Sequence, residues 1–264
     1  MSTDLRAQFL AFYRDFKSQR LYQQMLACTA VSAWHREPNV GCHTDMVVQH
    51  YVDNSPQDWQ RSDFIAALWC CFHDCGKPRA QKVVENNTVF TGHDCQSARL
   101  FINTVYSDPF LFKHLSDTDI YNVCVGIQSH QPYKWSLREL QQLKTHLQIF
   151  DLDIVFADFL QADIWGRICD TEQQRREDFL QFKTQWHNIK PLQLNRNNPD
   201  VILMSAPTGA GKSTAAHSCL LRSQDLNYDA VICRSEDEYQ QAQGAEIRIV
   251  DCNNLTPEDR RRYL

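Results

Sequence analysis

Hydrophobic positions recur with a helical period over the first 185 or so residues and lose that period beyond residue 200. Leu5, Phe9, Phe12 and Phe16 are spaced four, three and four residues apart, which places them on one face of a helix. Met46, Val47 and Val48 belong to another helical stretch that also carries His43. Ser62 has the residue type of an N-cap for a helix running toward His73. Further helical stretches begin near Gly92, Ser116, Ser136 and Asp151, and a last one runs from Thr171 to about Trp186. No repeat period or low-complexity segment interrupts them. Residues 189–199 are polar, carry two prolines and show no period, which reads as a linker. Beyond it, partly β-branched apolar runs at 201–204, 230–233 and 247–250 alternate with helical stretches, predicting a parallel sheet. The expected fold class is multidomain, with an all-α helical bundle over 1–188 and an α/β domain over 200–264.

Composition narrows the setting. The chain has 264 residues, 22% charged and 43% hydrophobic, as expected of a globular protein with a sizeable core. Apolar runs such as Ala66–Phe72 are too short to cross a bilayer. The N-terminus lacks the basic and apolar regions of an export signal, so a cytoplasmic location without membrane association is expected. Eleven cysteines are an odd number in a chain of this length, and reduced thiols are the expectation. Cys71 and Cys75 lack a second close pair, which argues against a zinc–cysteine site. A net charge of −5 excludes a protein that coats nucleic acid by bulk charge. Arg175-Arg176 and Arg260-Arg261-Arg262 read as solvated helix faces.

Two groups of residues carry chemistry. The first is Ala206-Pro207-Thr208-Gly209-Ala210-Gly211-Lys212-Ser213, preceded by the apolar run 201–204 and followed by Thr214-Ala215-Ala216. This is the strand–loop–helix setting of a phosphate-binding loop. Gly209 and Gly211 let backbone N–H groups turn toward phosphates at a helix N-terminus, where Thr214 follows. Lys212 would reach the outer phosphates and Ser213 would hold Mg²⁺, so ATP with Mg²⁺ is the expected cofactor here.

The second group lies in the helical region. His73-Asp74, in Cys71-Phe72-His73-Asp74-Cys75-Gly76-Lys77-Pro78, offers an imidazole and a carboxylate about 100° apart on one helix end. Gly76 and Pro78 are expected to stop that helix. His43, His93, His130 and Asp163 lie on other predicted helices, and bundles build metal sites from inward side chains of several helices. Imidazole and carboxylate donors suit Mn²⁺, Fe²⁺, Co²⁺, Ni²⁺, Zn²⁺ or Mg²⁺. His50, two turns beyond His43, is a possible substitute ligand. His35, His114, His146, His187 and His217 read as ordinary histidines.

The strings Gly41-Cys42-His43-Thr44-Asp45-Met46-Val47, Phe72–Pro78, Gly92-His93-Asp94 and Ala162-Asp163-Ile164-Trp165-Gly166-Arg167 together resemble the HD superfamily of metal-dependent phosphohydrolases. The closest flavour is the HD domain attached to bacterial tRNA nucleotidyltransferases. The resemblance covers roughly residues 20–186. It implies that His43, His73, Asp74 and Asp163 hold a first metal, that His93 and His130 hold a second with Asp74 bridging, and that Lys77 neutralises a phosphoryl oxygen.

The C-terminal strings, including Val231–Tyr239 and Ile247–Leu255, resemble P-loop polynucleotide kinases. There the acid after the second strand, Glu236 or Asp237 here, accepts the proton of a 5′-hydroxyl, and Asp251 ends the next strand like a metal- or water-organising acid. Ala206 replaces the usual glycine, and a kinase of that family would continue into a lid past Leu264, so a separate polypeptide completing the kinase is one expectation. The pairing resembles bifunctional end-healing enzymes. It implies removal of 3′-phosphate or 2′,3′-cyclic phosphate from nucleic-acid ends, RNA in preference to DNA, beside a 5′-kinase region. Alternatives are an HD hydrolase of mononucleotides and a non-enzymatic nucleotide-binding module.

Overall fold

The computed structural model describes residues 4–29, 36–85, 87–191, 200–203, 216, 230–233, 236–242, 244–245 and 247–250. They fall into two compact units interleaved along the chain. The first comprises residues 1–114, 122–134 and 152–188, and the second 115–121, 135–151 and 189–264.

The first unit is built on helices α1 (Leu5–Phe16), α2 (Arg20–Leu26), α3 (Val40–Asn54), α4 (Arg61–Phe72), α5 (Lys77–Ala80), α6 (His93–Ser107) and α7 (Pro109–His114). It also holds the last part of α8 (Asp117–Gln128), and α10 (Asp153–Trp165) and α11 (Glu172–Asn188). Helix α9 (Leu137–Ile149) belongs to the second unit. The predicted face of α1 is the buried one, with Phe9 and Phe16 fully enclosed and Asp4 capping the first turn through Ala7 N–H at 2.9 Å. Phe9, Phe12 and Phe16 reach Trp59, Phe64 and Phe72 through ring contacts. Each such ring contributes about 1.5–3 kcal/mol on burial.

Helix α4 is apolar all round. Every residue from Phe64 to Phe72 is buried, as expected of a helix enclosed on all sides. It packs with α3 and α10, which also pack on each other. Helix α10 buries one face, with Phe156, Phe159, Leu160 and Asp163 inward, while Ile154 and Asp158 are exposed. The enclosed C-terminal end of α4 therefore delivers His73 and Asp74 into the interior.

Three local expectations are corrected. The N-cap of α4 is Gln60 rather than Ser62, because Asp63 returns its carboxylate to the Gln60 N–H at 2.8 Å. Gly76 and Pro78 begin α5 instead of ending α4, which stops at Phe72; proline suits a first helical turn because its missing N–H has no intrahelical partner there. Gly76 is required for packing: a Cβ there would lie 2.2 Å from the His93 carbonyl oxygen. Finally, the helical region contains an antiparallel hairpin, β1 (Lys82–Val84) with β2 (Asn87–Val89), where Val83, Val84, Thr88 and Val89 favour extended backbone.

In the second unit, β3 (Asp200–Leu203), β4 (Ala230–Cys233) and β5 (Ile247–Val250) form a small parallel sheet in the order β3-β5-β4. The middle strand is wholly buried, and Cys233, Val250 and Tyr239 pack together. Tyr239 lies on α12 (Glu236–Gln241). Arg248 stacks its guanidinium over the Tyr239 ring at 4.8 Å and donates to the Ala242 carbonyl.

Candidate metal centre

Six of the sequence-selected residues meet at the end of α4. His43 comes from the first turns of α3, His73 caps α4 and Asp74 follows it. His93 opens α6, His130 lies just past α8, and Asp163 sits in the last turn of α10. All are buried. They form two groups, His43 with His73 and Asp163, and Asp74 with His93 and His130, each with ligand atoms within 4.8 Å of one another. In the first, His43 Nε2 is 3.1 Å from Asp163 Oδ1 and 3.4 Å from His73 Nε2. In the second, His93 Nε2 is 3.2 Å from both His130 Nε2 and Asp74 Oδ1. Asp74 serves both groups, since its Oδ2 lies 3.4 Å from His73 Nε2.

The tautomers follow from the backbone. The Nδ1 atoms of His73, His93 and His130 face the carbonyls of Cys70, Phe90 and Ile127, three residues upstream, at 3.1, 2.8 and 2.7 Å. His43 Nδ1 faces the Gly166 carbonyl at 3.1 Å. A carbonyl only accepts, so each Nδ1 carries a proton, which leaves Nε2 as the nitrogen that can bind a cation or, where a carboxylate faces it in His43 and His93, a second proton. Asp74 Oδ1 is buried and, among the described residues, has no hydrogen bond of good geometry, although two imidazole nitrogens lie close by. Lone pairs and carboxylate oxygens facing one another repel unless a cation lies among them. The donor set therefore fits divalent metal, and the two groups can hold one.

Two buried cations fix the carboxylates. Lys77 Nζ is 2.6 Å from Asp74 Oδ2, and an Arg167 guanidinium nitrogen is 2.6 Å from Asp163 Oδ1. Burial alone would raise both acids. Lys77 and His73 instead hold Asp74 well below the usual carboxylate range, and Arg167 and His43 do the same for Asp163. Burial pulls His43 down, but Asp163 and Glu37 outweigh it and the imidazole sits above its ordinary value. His93 is also raised, Asp74 outweighing burial. His130 is pulled down to about 4 by burial, with His73 adding to the effect.

The remaining calls divide as follows. His50 is outside both groups; its ring stacks on Trp165 and its Nδ1 lies 3.2 Å from the Asn54 amide nitrogen. An open groove of about 590 Å³, lined in part by Tyr13, Lys17, Asp45, His50 and Trp165, runs along α3 and is not lined by any of the six clustered residues. The described cysteines are free thiols. Glu236 and Asp237 begin α12, which two residues separate from the end of β4. Gly209, Gly211, Lys212, Ser213, Thr214 and Asp251, with His35 and His217 and linker residues 192–199, lie outside the described residues.

Two contributors carried no assigned role in the sequence. Arg167 was legible as an i,i+4 partner of Asp163. Glu37 had no signal at all, being a lone acid before Pro38, yet it is 2% exposed and 3.7 Å from His43 Nδ1.

No protein-family model, curated protein or solved structure matches this chain. The structure itself defines a helical unit whose His/Asp groups are compatible with an HD-like metal site. No described helix is long and apolar enough to cross a membrane.

Proposed function

We propose that the helical unit is an HD-type metal-dependent phosphohydrolase that removes 3′-phosphate or 2′,3′-cyclic phosphate from nucleic-acid ends. The observation that carries this reading is Asp74, one carboxylate turned toward two separate groups of imidazoles. His43, His73, Asp74 and Asp163 would hold one cation, and Asp74, His93 and His130 a second. When bound, divalent cations supply a water of lowered pKa and shield phosphoryl oxygens. Lys77 and Arg167 keep both aspartates ionised and oriented. The burial of the six His and Asp residues limits bulk water at the centre.

For the second unit we propose an ATP-binding role, on the sequence of residues 206–213. Residues 206–213 begin three positions past the end of β3, and Glu236 and Asp237 follow β4. Parallel sheets bind ligands beyond the carboxyl ends of their strands, and both segments follow a strand in sequence. In this reading Lys212 binds nucleotide and Glu236 or Asp237 serves a 5′-hydroxyl kinase. The depth of the metal centre favours one alternative, hydrolysis of mononucleotides.

Phosphate release from a 3′-phosphorylated oligonucleotide, measured with Mn²⁺, Ni²⁺, Co²⁺ and Mg²⁺, tests the hydrolase. Release with at least one metal, abolished by Asp74→Ala, is expected. Silence across the panel refutes it, and faster turnover of nucleoside monophosphates selects the alternative.

A further inference from the structure

His43 differs from the other three imidazoles in what stands behind it. Each of the others donates from Nδ1 to the carbonyl three residues upstream, within its own turn of chain. His43 donates to Gly166, 123 residues away, and among the described residues it alone has a carboxylate placed near that nitrogen, Glu37 Oε1 at 3.7 Å. At that separation Glu37 acts through its charge, while Gly166 takes the hydrogen bond.

The Glu37 carboxylate is held firmly. Its Oε1 accepts the Ile168 N–H at 2.6 Å, and the Arg36 N–H donates to the Ile168 carbonyl at 2.8 Å. Residues 36 and 37 thus grip residue 168 from both sides, and the Arg36 guanidinium pairs with Asp170. The same short segment, 163–170, supplies Asp163 as the facing acid, Gly166 as the acceptor for His43 and Ile168 as the anchor for Glu37.

From this geometry we infer that Glu37 is a positioning residue for the first metal site, holding the His43 ring and raising the basicity of its Nε2. Carboxylates behind ligating histidines do this generally, and their loss costs about 10–100-fold in metal affinity. The inference rests on the metal-centre reading above. It assigns the effect to one group of ligands and not the other, because no carboxylate stands behind the Nδ1 of His93 or His130 among the described residues; each of those nitrogens faces a carbonyl.

Glu37→Gln separates charge from packing, since the amide oxygen can still accept the Ile168 N–H. Mn²⁺ affinity is measured by titration in two backgrounds. His130→Ala disables the second group, and Asp163→Ala disables the first. Glu37→Gln is expected to weaken Mn²⁺ binding about 10–100-fold in the first background and to leave it unchanged in the second. Glu37→Asp, which keeps the charge, is expected to recover part of the loss. Unchanged affinity in the first background overturns the inference. So does an equal loss in both, or loss of the native near-ultraviolet circular dichroism in both Glu37 variants, since either gives Glu37 a packing role. If neither background takes up Mn²⁺, the metal-centre reading fails and the inference falls with it; uptake insensitive to Glu37 removes only the inference.

Discussion

Replacing Lys77 with methionine tests whether the charge balance of the centre is set by its fixed cations. The Lys77 side chain is 7% exposed, its Nζ lies 2.6 Å from Asp74 Oδ2, and its ammonium group stands over the Phe90 ring. Methionine keeps the apolar stem and deletes the charge. At pH 7 Asp74 is ionised, and Lys77→Met leaves that carboxylate buried without its ion-pair partner. Breaking a buried pair on one side costs about 3–5 kcal/mol. At roughly 2–4 °C per kcal/mol for a chain of this size, the melting temperature falls by roughly 6–20 °C. The assay is urea unfolding followed by helical circular dichroism, with chelator and with Mn²⁺. Chelator should show the full deficit. Mn²⁺ should shrink it to about 1–2 kcal/mol, because a bound cation returns a counter-charge to Asp74. The same deficit in both conditions would refute the idea that Asp74 faces a metal, and a deficit below about 1 kcal/mol in chelator would refute the stabilising pair.

His146 is buried in the second unit, its Nε2 has no hydrogen-bond partner among the described residues, and burial pulls it down to about 4. The unfolded chain therefore binds the proton first as pH falls. Its contribution to stability is present above pH 6.5 and lost toward pH 4, about 3 kcal/mol in all; His146→Leu should flatten that part of the stability–pH curve, and an unchanged slope would refute the assignment. Gly126→Ala would set a Cβ 2.2 Å from the Trp69 indole, so an overpacking cost of about 1–3 kcal/mol and a shifted tryptophan emission are expected. Wild-type stability would show that α8 yields easily. Lys212→Ala should abolish binding of a fluorescent ATP analogue while leaving Mn²⁺-dependent phosphate release intact; retained binding would remove Lys212 from the nucleotide site.

Long-period patterns were the most legible part of the fold. The face of α1, the starts of α6, α8, α9 and α11, and all three C-terminal strands followed from periodicity and cap residues, because each is decided within a few neighbours. The β1–β2 hairpin was missed, since six short residues between helices carry little periodic signal. Gly76 and Pro78 were read as stops because both break helices, but proline also opens them, and the choice depended on α6 packing against Gly76. In the centre, the six His and Asp residues were legible by type and order. Glu37 was not. Its role depends on Gly166 and Ile168 arriving from distant chain, and no local pattern encodes that.

The opposed lone pairs and acids at the end of α4 have a consequence for what the centre retains. Among the described residues, Asp74, Asp163 and Glu37 bring three negative charges, against two positive ones on Lys77 and Arg167. With neutral imidazoles the sum is one negative charge, which a single proton can offset, in keeping with the raised His43 and His93. Two divalent ions would bring the sum to three positive charges, and a doubly charged phosphate would leave one. The metal-free centre thus favours proton uptake, while the loaded one favours anions. Loading should release protons to the medium, and inorganic phosphate should compete with substrate more strongly as the second ion binds.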